Sequence, residues 1–135
     1  MAKASVCILI AKDTGNLLLL LRPKDDTTIK NKWTFVGGSI EREEDPLETI
    51  KREIMEELVF DSTEINFKFL GKIKDDKIDL YYFIGTMDSE ETPILNEENV
   101  DWGWFDVDNL PKNTYISCRE ILEKFNVDGF FGQRT

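Results

Sequence analysis

A chain of 135 residues with 17 basic and 27 acidic side chains carries a formal net charge of -10 and contains no histidine. That excludes a Ser-His-Asp or Cys-His device and any His-ligated zinc, and two cysteines, Cys7 and Cys118, supply neither a four-thiolate metal site nor a disulfide framework. The acidity also argues against binding a nucleic-acid polymer, whose phosphates would go unneutralised, so an anionic ligand would need a metal in between.

The length suits one domain, residues 1–135, and 41% hydrophobic residues supply its core. No apolar run approaches membrane-spanning length, and the N-terminal stretch lacks the pattern of a signal peptide. A soluble, reduced, cytoplasmic chain is expected, with both cysteines acting as buried small hydrophobes.

In chain order, the β-branched stretch 4–11, the turn cluster 12–16 and the apolar run 17–22 predict a hairpin. Residues 23–32 are polar and read as a loop. A short strand, 33–36, then runs into Gly37 and Gly38. The best helix follows: Asp45 is a good N-cap, Pro46 occupies the tolerated first position, and Glu48 completes a capping box. Leu47, Ile50, Ile54 and Leu58 make one apolar face of it. Residues 65–73 and 78–86 predict strands around a turn at 74–77, and 87–99 is acidic and irregular. In a strand over 100–107, alternation places Trp102 and Trp104 on one face and Phe105 on the other. Ser117 is the expected cap of a last helix, 118–125, with Ile121, Leu122 and Phe125 facing inward. Strands and helices mix without a regular βαβ rhythm, which favours α+β.

On the first helix Glu53, Glu56 and Glu57 share a face distinct from the apolar one, and their mutual repulsion opposes helix formation. The helix dipole makes this worse for Glu56 and Glu57 near the C-terminal end. Two readings fit: a solvated acidic face with Lys51 and Arg52 as partners, or an oxygen-ligand site for Mg²⁺ or Mn²⁺. The loop spacing of an EF-hand is missing.

The wider pattern Gly38-x5-Glu44-x7-Arg52-Glu53-Ile54-x-Glu56-Glu57-x-Val59-Phe60 resembles the Nudix box, G-x5-E-x7-R-E-U-x-E-E-x-G-U with U bulky and apolar. Every fixed position matches except the second glycine, which is Val59, and the flanking elements fall where Nudix domains place theirs. The resemblance implies an α/β/α sandwich around a mixed β-sheet and hydrolysis of a nucleoside diphosphate linked to another moiety, with Mg²⁺ or Mn²⁺ as cofactor. By position, Glu53, Glu56 and Glu57 would hold the metal, with the Gly38 carbonyl as a further ligand. Arg52 would hold the carboxylates in place, and Glu44 would partner Arg52. The general base would be Glu53 or a loop glutamate, Glu97 or Glu98; for the last two, solvated loop charge is the alternative. At Val59, where the family glycine ends the helix, a β-branched residue is strained in the left-handed conformation. The helix is therefore expected to run on by a residue or to end by another route near Asp61 and Ser62.

Substrate recognition is less legible. Trp33, Phe35, Tyr81, Tyr82, Trp102 and Trp104 are candidate stacking surfaces, with core packing as the alternative for each. Arg22, at a strand end beside a loop, is a candidate phosphate contact, with an ordinary surface arginine as the alternative. The spacings associated with ADP-ribose pyrophosphatases and dinucleoside polyphosphate hydrolases are not met. This favours a nucleoside triphosphate, including an oxidised or otherwise non-standard one. A small-molecule nucleotide is thus the expected partner of a monomer or homodimer, with no nucleic-acid polymer and no membrane.

Overall fold

In the computed structural model of this chain, residues 2–27, 29–74 and 76–125 are described, so residues 126–135 of the expected single domain lie outside them. Strand β1 (Ala2–Ala11) turns back into β2 (Leu17–Leu21) through Gly15, whose φ of 77° is a conformation glycine adopts without penalty. β1 also runs parallel to β6 (Ile78–Met87) in unbroken register, from Ala2 opposite Ile78 to Ala11 opposite Met87. β5 (Asn66–Lys74) pairs antiparallel with β6 and stands at the end of the strand order, with a register shift between Phe69 and Gly71. β7 (Asp101–Phe105) pairs antiparallel with β2. Parallel and antiparallel pairs make the sheet mixed, as an α+β chain of this type requires.

The strand expected over 33–36 is divided. β3 (Trp33–Thr34) pairs with β2, β4 (Val36–Ser39) pairs with β1, and at Phe35 between them the segment changes partner. The physical reason is that both neighbours offer free edges, and a strand segment this short cannot satisfy both in one register.

Alternation along β1 sends Cys7 and Leu9 to one face of the sheet and Ile8 and Ile10 to the other. Helix α1 (Pro46–Leu58) covers the first face. Its Ile50, Ile54 and Leu58 are fully buried against Cys7, Leu9, Val36 and Phe83, and each stabilises the fold by about 1.5–3 kcal/mol. Helix α2 (Ile116–Lys124) covers the second face with Cys118, Ile121 and Leu122, and Phe125 follows them. The result is the expected helix–sheet–helix sandwich. Trp102 and Trp104 pack on the α1 side and Phe105 on the α2 side, as the alternation predicted. Both cysteines are free and buried, and burial pushes their thiols up. Among the described residues no helix is long and apolar enough to cross a membrane.

Two helix ends differ from expectation. Helix α2 begins two residues early, at Ile116, and its N-cap Tyr115 makes no side-chain capping bond, so Ser117 lies within the first turn instead of capping it. Tertiary contact explains this, since the Tyr115 N–H donates to the Trp33 carbonyl at 2.8 Å and fixes where the chain turns in. Helix α1 neither runs on nor ends by another route. It stops at Leu58, and Val59 adopts the left-handed conformation itself (φ 59°, ψ 42°), its N–H donating to the Ile54 and Met55 carbonyls. That bond pattern and the burial of the next residue, Phe60, outweigh the strain. A left-handed β-branched residue costs about 1–2 kcal/mol, and Val59 is half exposed, so it recovers little by packing. We expect Val59→Gly to raise the melting temperature by about 3–5 °C without altering activity. A fall in melting temperature would show that Val59 is held by contacts rather than by its neighbours' bonding.

Candidate active site

Helix α1 is anchored before it presents anything. Asp45 accepts from the Glu48 N–H at 2.8 Å and the Glu48 carboxylate accepts from the Asp45 N–H at 3.0 Å, which is the predicted capping box. The Ser5 hydroxyl ties the first turn to β1 by donating to the Pro46 carbonyl at 2.9 Å. This rigid frame matters because like charges must be held close together a turn further on.

Arg52 is the hub of that turn. Its Nε and Nη2 grip the two oxygens of Glu44 at 2.7 and 3.0 Å, in a bidentate pair. Nη2 also donates to the Ser39 carbonyl at 3.1 Å, and Nη1 reaches Glu53 Oε1 at 3.0 Å and Glu56 Oε2 at 3.2 Å. Glu44 accepts from the Thr49 hydroxyl and the Glu41 N–H besides. The guanidinium, aided by these donors, holds the Glu44 carboxyl down at about 2. Arg52 and Glu44 are thus ionised across the working pH range.

Beyond Arg52 the positive charge runs out. Glu53 is 8% exposed and Glu57 only 2%, while Glu98 reaches the same point from the loop before β7, itself solvent-exposed. One carboxylate oxygen from each of the three lies within 4.8 Å of the others. Glu57 accepts from the Asn99 amide at 2.9 Å through Oε1, but among the described residues its buried Oε2 has no hydrogen-bond partner, and neither does Asn99 Oδ1. Three convergent carboxylates with a buried, unsatisfied oxygen fit a hard divalent cation such as Mg²⁺ or Mn²⁺, which takes oxygen ligands. Gly38 completes the fit. A Cβ on that residue would lie 2.4 Å from the Glu53 carboxyl carbon, so the glycine leaves room for the carboxylate to approach the backbone.

The structure therefore brings together Glu53, Glu57, Glu98 and Gly38, with Arg52 alongside. It does not bring in Glu56, which is half exposed and turned to Arg52, nor the exposed Glu97. Arg22 is held by Asp26 at 2.9 Å, with its Nε buried and without a hydrogen-bond partner among the described residues. Its strand neighbour Leu21 accepts from the N–H of Val100, two residues after Glu98. Trp33 packs edge-on against Phe105 at 5.2 Å on the α2 side. Sequence reasoning missed Asn99. Its adjacency to Glu98 was the available signal, but no periodicity leads from residue 99 to residue 57.

Burial pushes Glu57 up to about 8, and it raises Glu53 as well. Between the unfolded value of 4.5 and the native value near 8, the folded chain keeps a proton that the unfolded chain releases. The metal-free protein is therefore expected to lose stability as pH rises from about 5 to 8. Bound cation requires the deprotonated form, so Mg²⁺ should raise the melting temperature most at pH 8. Melts across that pH range, with and without Mg²⁺, check this; a flat profile unaffected by Mg²⁺ contradicts it.

The family model of the NUDIX domain matches residues 1–125. Among solved structures, the MutT protein from Methanosarcina mazei Go1 superposes with a TM-score of 0.76 at 18% identity, covering 95% of this chain and 94% of that one. The E. coli dihydroneopterin triphosphate pyrophosphohydrolase gives 0.76 at 19%, covering 93% and 95%. A C. elegans Ap4A hydrolase gives 0.72 at 20%, covering 92% and 96%. At these identities the likeness is one of fold. A sequence comparison with curated proteins gave no match.

Proposed function

This chain belongs to the NUDIX domain family and is a Nudix hydrolase, and from that premise we propose that it is a Mg²⁺- or Mn²⁺-dependent pyrophosphohydrolase converting a nucleoside triphosphate to the monophosphate and pyrophosphate. The observation that carries the metal requirement is the meeting of Glu53, Glu57 and Glu98 beside Gly38, with one buried carboxylate oxygen left unpartnered. Glu53 and Glu57 would hold the cation, with Glu98 at the same point as the candidate proton acceptor; Glu56, turned to Arg52, stands outside the cluster. When bound, the cation neutralises phosphate oxygens and makes a coordinated water more acidic.

The chain's own residues divide the remaining work. Water adds to phosphorus, the P–O bond to the leaving pyrophosphate breaks, and the water's proton passes to a carboxylate. We assign that carboxylate to Glu98 over Glu53, because Arg52 already donates to Glu53 Oε1 whereas Glu98 is exposed to water and has no ion pair among the described residues. Arg52 keeps Glu44 ionised and holds Glu53 in place. Arg22, whose Nε has no partner among the described residues, is the proposed phosphate contact. A cavity of about 300 Å³ on the α2 side takes the base. Val6, Phe35, Leu80, Tyr82 and Tyr115 line it, with the Thr34 and Ser117 hydroxyls as polar groups. Phe35, which lines this cavity, stands three residues before Gly38, the residue against the Glu53 carboxylate. Trp33, on the same side of the sheet, would support the cavity wall. The setting we propose is the cytoplasm, consistent with two thiols left unpaired.

The test is a substrate panel with Mg²⁺ or Mn²⁺, covering triphosphates, dinucleoside polyphosphates, ADP-ribose and nucleotide sugars. We expect triphosphates to give monophosphate and pyrophosphate, with a chelator abolishing turnover. Cleavage confined to dinucleoside polyphosphates or nucleotide sugars would move the substrate assignment within the family. Nucleotide binding without hydrolysis of any member would make the chain a sensor.

A further inference from the structure

The pair formed by Asn99 and Glu57 stands apart from the rest of the site. The neighbouring carboxylates Glu44, Glu53 and Glu56 are restrained by Arg52, which holds them with a full positive charge. Glu57 is held by a neutral donor instead. The Asn99 amide donates to Oε1 at 2.9 Å, and both side chains are buried (4% and 2% exposed). The chemical difference matters. A lysine or arginine at this place would compensate the Glu57 charge permanently and compete with a cation for it. An amide fixes the orientation of the carboxylate while leaving its charge uncompensated. With Oε1 engaged by Asn99, Oε2 is the oxygen left without a partner, and it belongs to the carboxylate that converges with Glu53 and Glu98.

The same residue sits next to Glu98 in sequence, so one hydrogen bond ties the loop that delivers Glu98 to the helix that delivers Glu57. The loop has other anchors. Ile94 N–H donates to the Leu58 carbonyl at 3.0 Å, Val100 N–H to the Leu21 carbonyl at 2.9 Å, and Trp104 Nε1 to the Glu91 carbonyl at 2.9 Å. Glu90 accepts from Thr14 and Asn16. Docking of the loop therefore does not depend on Asn99. Aim does.

We propose that Asn99 is a positioning residue that orients Glu57 for the divalent cation and sets its spacing from Glu98 without neutralising either. This rests on the metal-site reading above. Outer hydrogen-bond partners of metal ligands are worth about 10–100-fold in metal affinity or activity.

The experiment uses the full chain and reads Mn²⁺ binding to the nucleotide-free protein by electron paramagnetic resonance, alongside thermal melts and steady-state kinetics. Two substitutions separate orientation from space filling: Asn99→Ala removes the amide, and Asn99→Leu keeps its volume but cannot donate. Both are expected to weaken Mn²⁺ binding by about 10-fold or more. At saturating metal both should lower kcat by a similar factor, with KM for the nucleotide within about twofold. Wild-type Mn²⁺ affinity in Asn99→Leu would overturn the proposal and leave the residue as packing alone. So would a loss of kcat with unchanged Mn²⁺ affinity in both variants. If the unmodified chain bound no Mn²⁺, the metal-site reading itself would fall, an outcome distinct from either.

Discussion

Replacing Glu57 by glutamine is expected to lower hydrolysis by at least about 100-fold while the melting temperature of the metal-free protein at pH 8 rises. Loss of an outer partner alone typically costs 10–100-fold, so loss of a ligand should cost no less. The opposite sign for stability comes from burial. The carboxylate is 2% exposed, near Glu53 and Glu98, and burial pushes it up to about 8, so at that pH the fold carries a partly ionised group with no cationic partner among the described residues. Glutamine has the same shape, keeps an oxygen to accept from Asn99, and removes the charge. A site built for function at a loss of stability shows this trade-off. Unchanged melting and unchanged Mg²⁺-dependent turnover together would mean that Glu57 has been misassigned.

The adjacent glycines should fail in different ways when changed to alanine. At Gly38 the new Cβ would meet the Glu53 carboxyl carbon and one oxygen at 2.4 Å, and the other oxygen at 2.8 Å. The obstructed atoms are the far end of a flexible side chain, so the fold yields easily and the carboxylate is what moves. A displacement of about 1 Å in a catalytic group can cost about 100-fold, and we expect Gly38→Ala to lower kcat by one to two orders of magnitude with little change in melting. At Gly37 the new Cβ would lie 2.5 Å from the Ser5 carbonyl oxygen and 3.1 Å from the Val6 Cα. Backbone in the β1–β4 pair cannot give in that way, so Gly37→Ala should lower the melting temperature. Paired melts and initial rates distinguish the two. Equal loss of stability in both variants would refute the idea that Gly38 serves the site.

The contrast between these glycines marks the limit of what the chain of letters disclosed. Helix α1 was legible because capping and apolar spacing are local: Asp45, Pro46 and Glu48 state its start, and Ile50, Ile54 and Leu58 its buried stripe. The alternation of Trp102, Trp104 and Phe105 was legible for the same reason. What lay beyond reach depends on packing. Glu53, Glu56 and Glu57 look equivalent on one acidic face, yet the sheet beneath buries the first and third and leaves Glu56 to Arg52 and water. Val59 takes a conformation its side chain disfavours because Ile54, Met55 and Phe60 set the terms around it. The change of partner at Phe35, the early start of α2 and the reach of Asn99 to Glu57 are likewise long-range, and local propensity carries no record of them.

Strand β5, at the end of the strand order, has consequences for behaviour at high concentration. Among the described residues its outer edge has no strand partner; such an edge invites another chain to add to it, and nine residues is long enough to template such growth. Here the edge carries Lys68 and Lys74, with Lys72 turned to Asp79 of β6, and the register shift at Phe69 and Gly71 interrupts a flat run of backbone donors and acceptors. Like charges would face one another if two such edges met head to tail, and the kink would spoil their register. In a protein this acidic, cations gathered on one exposed border act as gatekeepers against intermolecular sheet growth.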